Sequence, residues 1–251
     1  MANYGMEGKR GVISGGTSGI GLAAAKLLVQ DGAYVYLVGR DAAKGEEALE
    51  QLKGFKGTAE YIQADISTLA DCKAVGDVLQ QSEQPVDFLV NCAGVYAEKM
   101  LDTLTEEDYN RIMDVNVKGT IFLTQAVVPH LAEEGPSILN IASDAALEGN
   151  YGCSVYAASK GAVVAFTRSL ALDLAPWVRV NCLCPGDVLT PLVEKQLAEG
   201  GYTMESMASI YPMERIGKPE EVAHMICALL SPLNGFMTGS VVSVDGGLTA
   251  K

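Results

Sequence analysis

The chain has two histidines, one tryptophan and, among its six cysteines, no Cys-x-x-Cys pair. A centre built on clustered imidazoles or closely spaced thiolates therefore has little to draw on, and no metal is expected. Cys72, Cys92, Cys153, Cys182, Cys184 and Cys227 read instead as small buried thiols of a reducing compartment. Cationic residues are also scarce: 18 Lys and Arg against 31 Asp and Glu leave a formal charge of −13. Such a surface repels phosphate backbones and anionic bilayers on average, so neither nucleic acid nor membrane is expected as a partner. Average charge does not fix local charge, so a positive pocket for a phosphorylated small molecule is compatible with it. Met1 to Arg10 is short and polar, unlike a secretory signal, which points to a cytoplasmic protein. One long stretch, Val222 to Val244, lacks Asp, Glu, Lys and Arg, but Ser231-Pro232-Leu233-Asn234-Gly235 interrupts it. It reads as helix, loop and buried strand rather than as a bilayer span. Repeats, low-complexity tracts and Pro/Ser-rich linkers are missing too, so residues 1–251 are expected to form one domain.

What is present is a globular composition, 49% hydrophobic and 20% charged, enough to bury a core without staples. Short β-branched runs at 11–14, 34–38, 58–63, 87–91, 137–142, 178–183 and 240–244 alternate with amphipathic stretches. The latter predict helices at 20–31, 42–53, 69–82, 106–132, 156–175 and 219–230. This alternation is that of βαβ units, hence an α/β fold with a parallel sheet. Residues 190–216 fit no strand–helix unit; a mobile lid over a pocket and two ordinary surface helices are both open readings.

Ser14-Gly15-Gly16-Thr17-Ser18-Gly19-Ile20-Gly21 follows an apolar strand and opens a helix. Glycines there allow a sharp turn and close approach of backbone to a pyrophosphate, whose charge meets the helix N-terminus. The second strand runs into Gly39-Arg40. A carboxylate at that point would bind a ribose 2′-hydroxyl and repel a 2′-phosphate. Gly39 supplies none and Arg40 can pair with phosphate, so NADP(H) is favoured over NAD(H), with nearby Asp41 tempering the argument.

Tyr156 and Lys160 lie four residues apart, on one helical face. A free tyrosine titrates near ~10, too high for efficient proton exchange at neutral pH, and an adjacent ammonium lowers that value. Together with the glycine loop, Asn91-Cys92-Ala93-Gly94, Asn116, Ser143 and Pro185-Gly186, this order and spacing resembles the classical short-chain dehydrogenases/reductases from Arg10 to Gly247. The resemblance implies a single Rossmann-like, doubly wound parallel sheet of seven strands, in the order 3-2-1-4-5-6-7 and flanked by helices. It further implies an NAD(P)-dependent oxidoreductase that interconverts a ketone and a secondary alcohol by hydride transfer, without a metal.

By the same resemblance, Tyr156 is the general acid in reduction and the base in oxidation. Lys160 lowers its pKa and binds the nicotinamide ribose, Ser143 hydrogen-bonds the substrate oxygen, and Asn116 holds a proton-relaying water. Cofactor contacts are expected from Gly15, Thr17, Ser18, Gly19, Ile20, Gly21, Arg40, Asp65, Ile66, Asn91, Ala93, Gly94, Pro185, Gly186, Val188 and Thr190. Three positions depart from the family pattern: Ser14 for threonine, Cys92 for the second asparagine, and Gly39 for the NAD-type acid.

For substrate, Ala145, Leu147, Tyr151, Leu192, Tyr202, Met204 and Met207 are candidates for an apolar wall, joined by Val188. That wall favours a bulky ketone such as a hydroxysteroid or bile acid. A 3-oxoacyl-(acyl-carrier-protein) reductase is the alternative, although docking an acidic carrier would need a local patch from Lys99, Arg111, Lys118 or Arg168. A non-catalytic dinucleotide-binding regulator is the alternative of another class; it predicts loss of Ser143, Tyr156 or Lys160. The helix from Tyr156 is apolar around much of its circumference, from Ala162 to Leu174, and relatives pair through it, which points to a homotetramer or homodimer.

Overall fold

The computed structural model describes residues 3–250. Seven strands form one sheet: β1 (Arg10–Ser14), β2 (Tyr34–Gly39), β3 (Thr58–Gln63), β4 (Phe88–Asn91), β5 (Ser137–Ile141), β6 (Arg179–Pro185) and β7 (Val241–Val244). Every neighbouring pair is parallel, in the order β3-β2-β1-β4-β5-β6-β7. Both the seven strands and their order match the expectation.

Alternation along the strands distributes side chains to two layers. Ile13, Val35, Leu37, Phe88, Val90, Leu139 and Leu183 pack on one face against α1 (Gly19–Gln30), α2 (Ala42–Leu52) and α9 (Pro219–Leu230). Val12, Tyr36, Val38, Leu89, Ile138 and Val180, at alternate positions of the same strands, pack on the other. There they meet α3 (Leu69–Ser82), α5 (Thr120–Val127) and α6 (Ser154–Leu174). Each fully buried Leu, Ile or Phe contributes about 1.5–3 kcal/mol by leaving water, so a register slip would expose a whole layer. Cys182 and Cys184 share a face, as their spacing predicts, and pack with Ala142, Val163 and Val164. The stretch 222–244 resolves into the C-terminal part of α9, a turn and β7.

One expected element differs. Instead of a continuous helix over 106–132, the chain forms α4 (Glu106–Met113), a wider π-helical turn at Asp114–Gly119, then α5 and a 3-10 turn ending at His130. Pro129, which has no N–H, terminates the helix early. The π turn inserts a residue into the helical ladder, and Asn116 lies within it. Residues 190–216 form two short helices, α7 (Pro191–Ala198) and α8 (Met204–Ala208), bridged by Gly200-Gly201.

Candidate active site

The carboxyl ends of the central strands open into a cavity of about 540 Å³. One end is the loop between β1 and α1. Gly15 and Gly19 have φ of +66° and +52°, which glycine adopts without strain. Ser18 precedes α1 without a side-chain cap, and the first turn carries no acid. Ser18, Gly19, Ile20 and Gly21 line the cavity, so the positive end of this helix offers its N–H groups to an anion there. A pyrophosphate fits such a cradle. The Ser14 hydroxyl, present where threonine was expected, accepts from the N–H groups of Cys92 (3.2 Å) and Ala93 (3.3 Å) and ties the two loops together.

Thr17, Arg40, Asp65 and Ile66 lie beyond the cavity lining, around the ends of β1 to β3. Gly39 lies against Thr17: an added Cβ would sit 3.1 Å from the threonine hydroxyl, so a larger residue there needs the Thr17 side chain to give way slightly. Arg40 is exposed, and no salt bridge holds it among the described residues. Asp41 accepts from the Lys44 N–H (3.2 Å) as the cap of α2, which engages its carboxylate locally. Burial alone would raise Asp65, but hydrogen bonds from Ser67 and the charges of Arg40 and Lys118 hold it below the usual carboxylate range. Ile66 is buried against Gly119.

Asn91 departs from its expected place. Its side chain points away from the cavity and donates to the Thr124 hydroxyl (2.9 Å) and the Asn140 amide oxygen (2.8 Å). Alternation in β4 explains this, since Val90 and Asn91 face opposite layers. Its neighbours Cys92, Ala93 and Gly94 line the cavity instead.

At the other end, Ser143 follows β5 and faces α6, which carries Tyr156 and Lys160. Lys160 is buried and donates to the Ile141 carbonyl (3.0 Å), with its nitrogen 5.9 Å from the centre of the Tyr156 ring. The expected depression of the phenol does not dominate. Burial pushes the Tyr156 phenol up, with the Ser143 hydroxyl opposing and Asp144 adding to the rise. Burial likewise lowers Lys160. Tyr96 packs edge-on against Tyr156, ring centres 4.9 Å apart.

Asn116 pins this end rather than facing it freely. Its oxygen accepts from the Val95 N–H (2.8 Å), while its nitrogen donates to the Val95 carbonyl and the Ser159 hydroxyl (3.0 Å each). A side chain on Gly94 would press on both Lys160 Nζ (3.2 Å) and Asn116 Oδ1 (3.4 Å), so the three converge. The side-chain amide thus has both protons engaged, and the water-holding role expected of Asn116 has no free side-chain donor behind it.

Of the residues expected to form an apolar wall, Ala145, Tyr151, Leu192, Tyr202 and Met207 line the cavity. Pro185, Gly186, Val188 and Thr190 line the adjoining stretch. Leu147 and Met204 do not line it: both are 42% exposed and turn to solvent. Cys153 and Tyr211 line it too, from the segments 145–155 and 190–216 expected to supply the pocket, whereas Tyr96, Asp144 and Asp187 line it without having been anticipated. Tyr202 donates to Glu98 (2.6 Å), which also accepts from Tyr96 (3.3 Å), so the α7–α8 segment is tied across the mouth. Burial raises Asp144 to about 6 and also raises Asp187. Local spacing carries no signal for these residues, because the loops that supply them meet only in the fold.

A family model described as enoyl-(acyl carrier protein) reductase matches residues 15–249. The 3-oxoacyl-(acyl-carrier-protein) reductase FabG of Chlamydia pneumoniae is 34% identical over 97% of this chain and 98% of its own. An NADP-dependent (R)-specific alcohol dehydrogenase of Lentilactobacillus kefiri is 36% identical over 98% of each. Among solved structures, L-sorbose reductase of Gluconobacter frateurii, complexed with NADPH and L-sorbose, superposes with a TM-score of 0.93 at 30% identity and complete coverage of both chains. A 3-ketoacyl-(acyl-carrier-protein) reductase of Brucella melitensis complexed with NADH gives 0.88 at 34% identity, over 97% of this chain and 99% of that one. With the glycine loop, the seven-stranded sheet and the Ser143–Tyr156–Lys160 group in one cavity, these likenesses place the chain in the classical short-chain dehydrogenase/reductase family, as an NAD(P)-dependent oxidoreductase.

Proposed function

We propose that the protein interconverts a small, uncharged ketone and its secondary alcohol, with NADP(H) preferred over NAD(H). The observation that carries this reading is one cavity with an uncapped helix N-terminus at one end and Ser143, Tyr156 and Lys160 at the other. A bound nicotinamide dinucleotide supplies or accepts the hydride. Gly15 and Ser18 to Gly21 would hold its pyrophosphate, Ala93, Gly94 and Lys160 its ribose, and Pro185, Gly186, Val188 and Thr190 its nicotinamide end. Asp65 and Ile66 would contact the adenine, and Arg40 with Thr17 the 2′-phosphate. Asn91 would act through the backbone it anchors.

Tyr156 is held neutral by burial and is therefore charged with a proton for the developing alkoxide during reduction. Ser143 stabilises that oxygen, Lys160 supplies positive charge beneath it, and Asn116 fixes α6, which carries Tyr156 and Lys160, to the loop after β4. All three groups whose loss a non-catalytic regulator would predict are present and adjacent.

The cavity argues for a compact substrate. Lys160 is its only cation among the described residues, whereas Asp144 and Asp187 both line it and Glu98 accepts from the lining residue Tyr202. Neither a wholly apolar steroid nor an acidic carrier protein suits such a lining, and no steroid enzyme is among the relatives described above. The carrier-protein reading retains the support of two relatives' names and stands second. Self-association, as a homotetramer or homodimer, is favoured by α6, where Leu172 is 81% exposed, and by the open edge of β7. No helix among the described residues is long and apolar enough to cross a membrane, in keeping with a cytoplasmic location.

The test is steady-state kinetics with NADPH and NADH on small hydroxyketones, acyl thioesters on carrier protein, and steroid ketones. Turnover of the small ketones with NADPH supports the proposal; turnover confined to carrier-bound thioesters or steroids overturns it.

A further inference from the structure

Ser143 has a single proton to give, and Asp144 holds it. The Ser143 hydroxyl donates to Asp144 Oδ1 at 2.6 Å and accepts from the Ala145 N–H at 3.2 Å. Asp144 is buried and also accepts from the Ala145 N–H at 2.8 Å. An ionised carboxylate makes a short, charge-assisted bond that retains the serine proton. In that state Ser143 presents a lone pair to the reaction centre. A ketone oxygen, which only accepts, gains no hydrogen bond from it, whereas an alcohol can donate to it. Once Asp144 is protonated the charge-assisted bond is lost, and the hydroxyl is free to rotate toward a ketone oxygen.

We propose that Asp144 is a positioning residue that sets whether Ser143 donates to or accepts from the substrate, favouring ketone reduction when protonated and alcohol oxidation when ionised. This rests on the assignment of Ser143 to the substrate oxygen. No atom balance changes, because Asp144 exchanges its proton with solvent and the hydride step keeps its own donor and acceptor.

The surroundings place the switch in an accessible range. Glu148 approaches from the same loop, Asp187 from the loop after β6, Tyr211 from the segment after α8, and Cys153 and Tyr156 from the start of α6. None of these is cationic. Burial, partly opposed by the bonds from Ser143 and Ala145 and reinforced by Asp187 and Glu148, raises the Asp144 carboxyl to about 6. Burial pushes the Tyr156 phenol above its ordinary value as well, which keeps it protonated and outside that window.

Asp144 also accepts from the Ala145 N–H at the start of the turn that Ser143 caps, so a purely structural role must be separated from this one. Asp144→Asn keeps an acceptor for the turn and removes the charge. Single-turnover hydride transfer is followed for the intact protein in both directions, from about pH 5 to about pH 8, with each rate divided by its own value at the acidic limit. The parent should lose about tenfold or more in ketone reduction through an inflection near 6, while Asp144→Asn varies by no more than about twofold. Asp187→Asn should keep the inflection. A parent profile without the inflection, or an Asp144→Asn profile that retains it, overturns the proposal. The parent measurement decides even if Asp144→Asn fails to fold. Ser143→Ala separates the underlying reading: unimpaired turnover in that variant would remove Ser143 from the site, whatever the Asp144 profile.

Discussion

Replacing Gly21 with alanine should loosen the dinucleotide site while leaving the catalytic group intact. A Cβ built on Gly21 falls 2.3 Å from the Gly15 carbonyl oxygen, 2.9 Å from its carbon and 3.2 Å from the Gly16 Cα. All three are backbone atoms, so no rotamer change relieves the overlap. The start of α1 must withdraw from the loop by roughly 1 Å to recover ordinary van der Waals separation. That movement carries the N–H groups at the head of α1 away from the pyrophosphate. A hydrogen bond to a charged acceptor is worth about 1.5–3 kcal/mol, so losing one weakens NADPH binding about tenfold to a hundredfold. Gly161→Ala is the matched control: nothing lies within 4 Å of its added Cβ, and it sits inside α6. That change should stabilise the fold by about 0.5–1 kcal/mol. Titration of NADPH fluorescence, with thermal unfolding recorded for each variant, measures both. Parent-like NADPH affinity in Gly21→Ala would refute the reasoning.

Two further substitutions test separate parts of the account. Arg40→Ser should raise the NADPH KM about tenfold to a hundredfold and leave the NADH KM within about twofold, as steady-state kinetics will read; equal shifts for both cofactors would exclude a 2′-phosphate contact. Arg179, buried beneath α9, donates to the carbonyls of Leu229 (3.0 Å), Leu230 (3.1 Å) and Ser231 (3.3 Å) and so closes the helix C-terminus. Arg179→Leu leaves those acceptors unpaired and should cost about 2–4 kcal/mol, lowering Tm by about 5–15 °C in calorimetry.

Much of this architecture is legible from short-range pattern. Val12 and Ile13 reach opposite layers because a strand alternates, and Tyr156 and Lys160 share a face because a helix repeats. The glycine loop is readable because its backbone conformations and close contacts admit few other residues. The π turn around Asn116 was not legible, since one inserted residue barely disturbs a helical hydrophobic pattern. Pro129 did carry a signal for the end of that helix. The inward turn of Asn91 follows from strand alternation once the ends of β4 are known. Tyr202 reaching Glu98, and Asp187 facing Asp144, depend on loops that are distant in the chain, where periodicity says nothing. Leu147 and Met204 look like wall residues by composition, but the turn before α6 and the start of α8 present them to solvent.

Tyr156 remains the centre of the account: a half-buried, neutral phenol that hands its proton to the substrate oxygen. Tyr156→Phe removes that proton while keeping the ring against Tyr96. The decisive measurement is single-turnover oxidation of bound NADPH by a small ketone, with NADPH affinity determined on the same preparation. The account predicts parent-like affinity and hydride transfer slowed about a hundred- to ten-thousandfold. Transfer at the parent rate would contradict it.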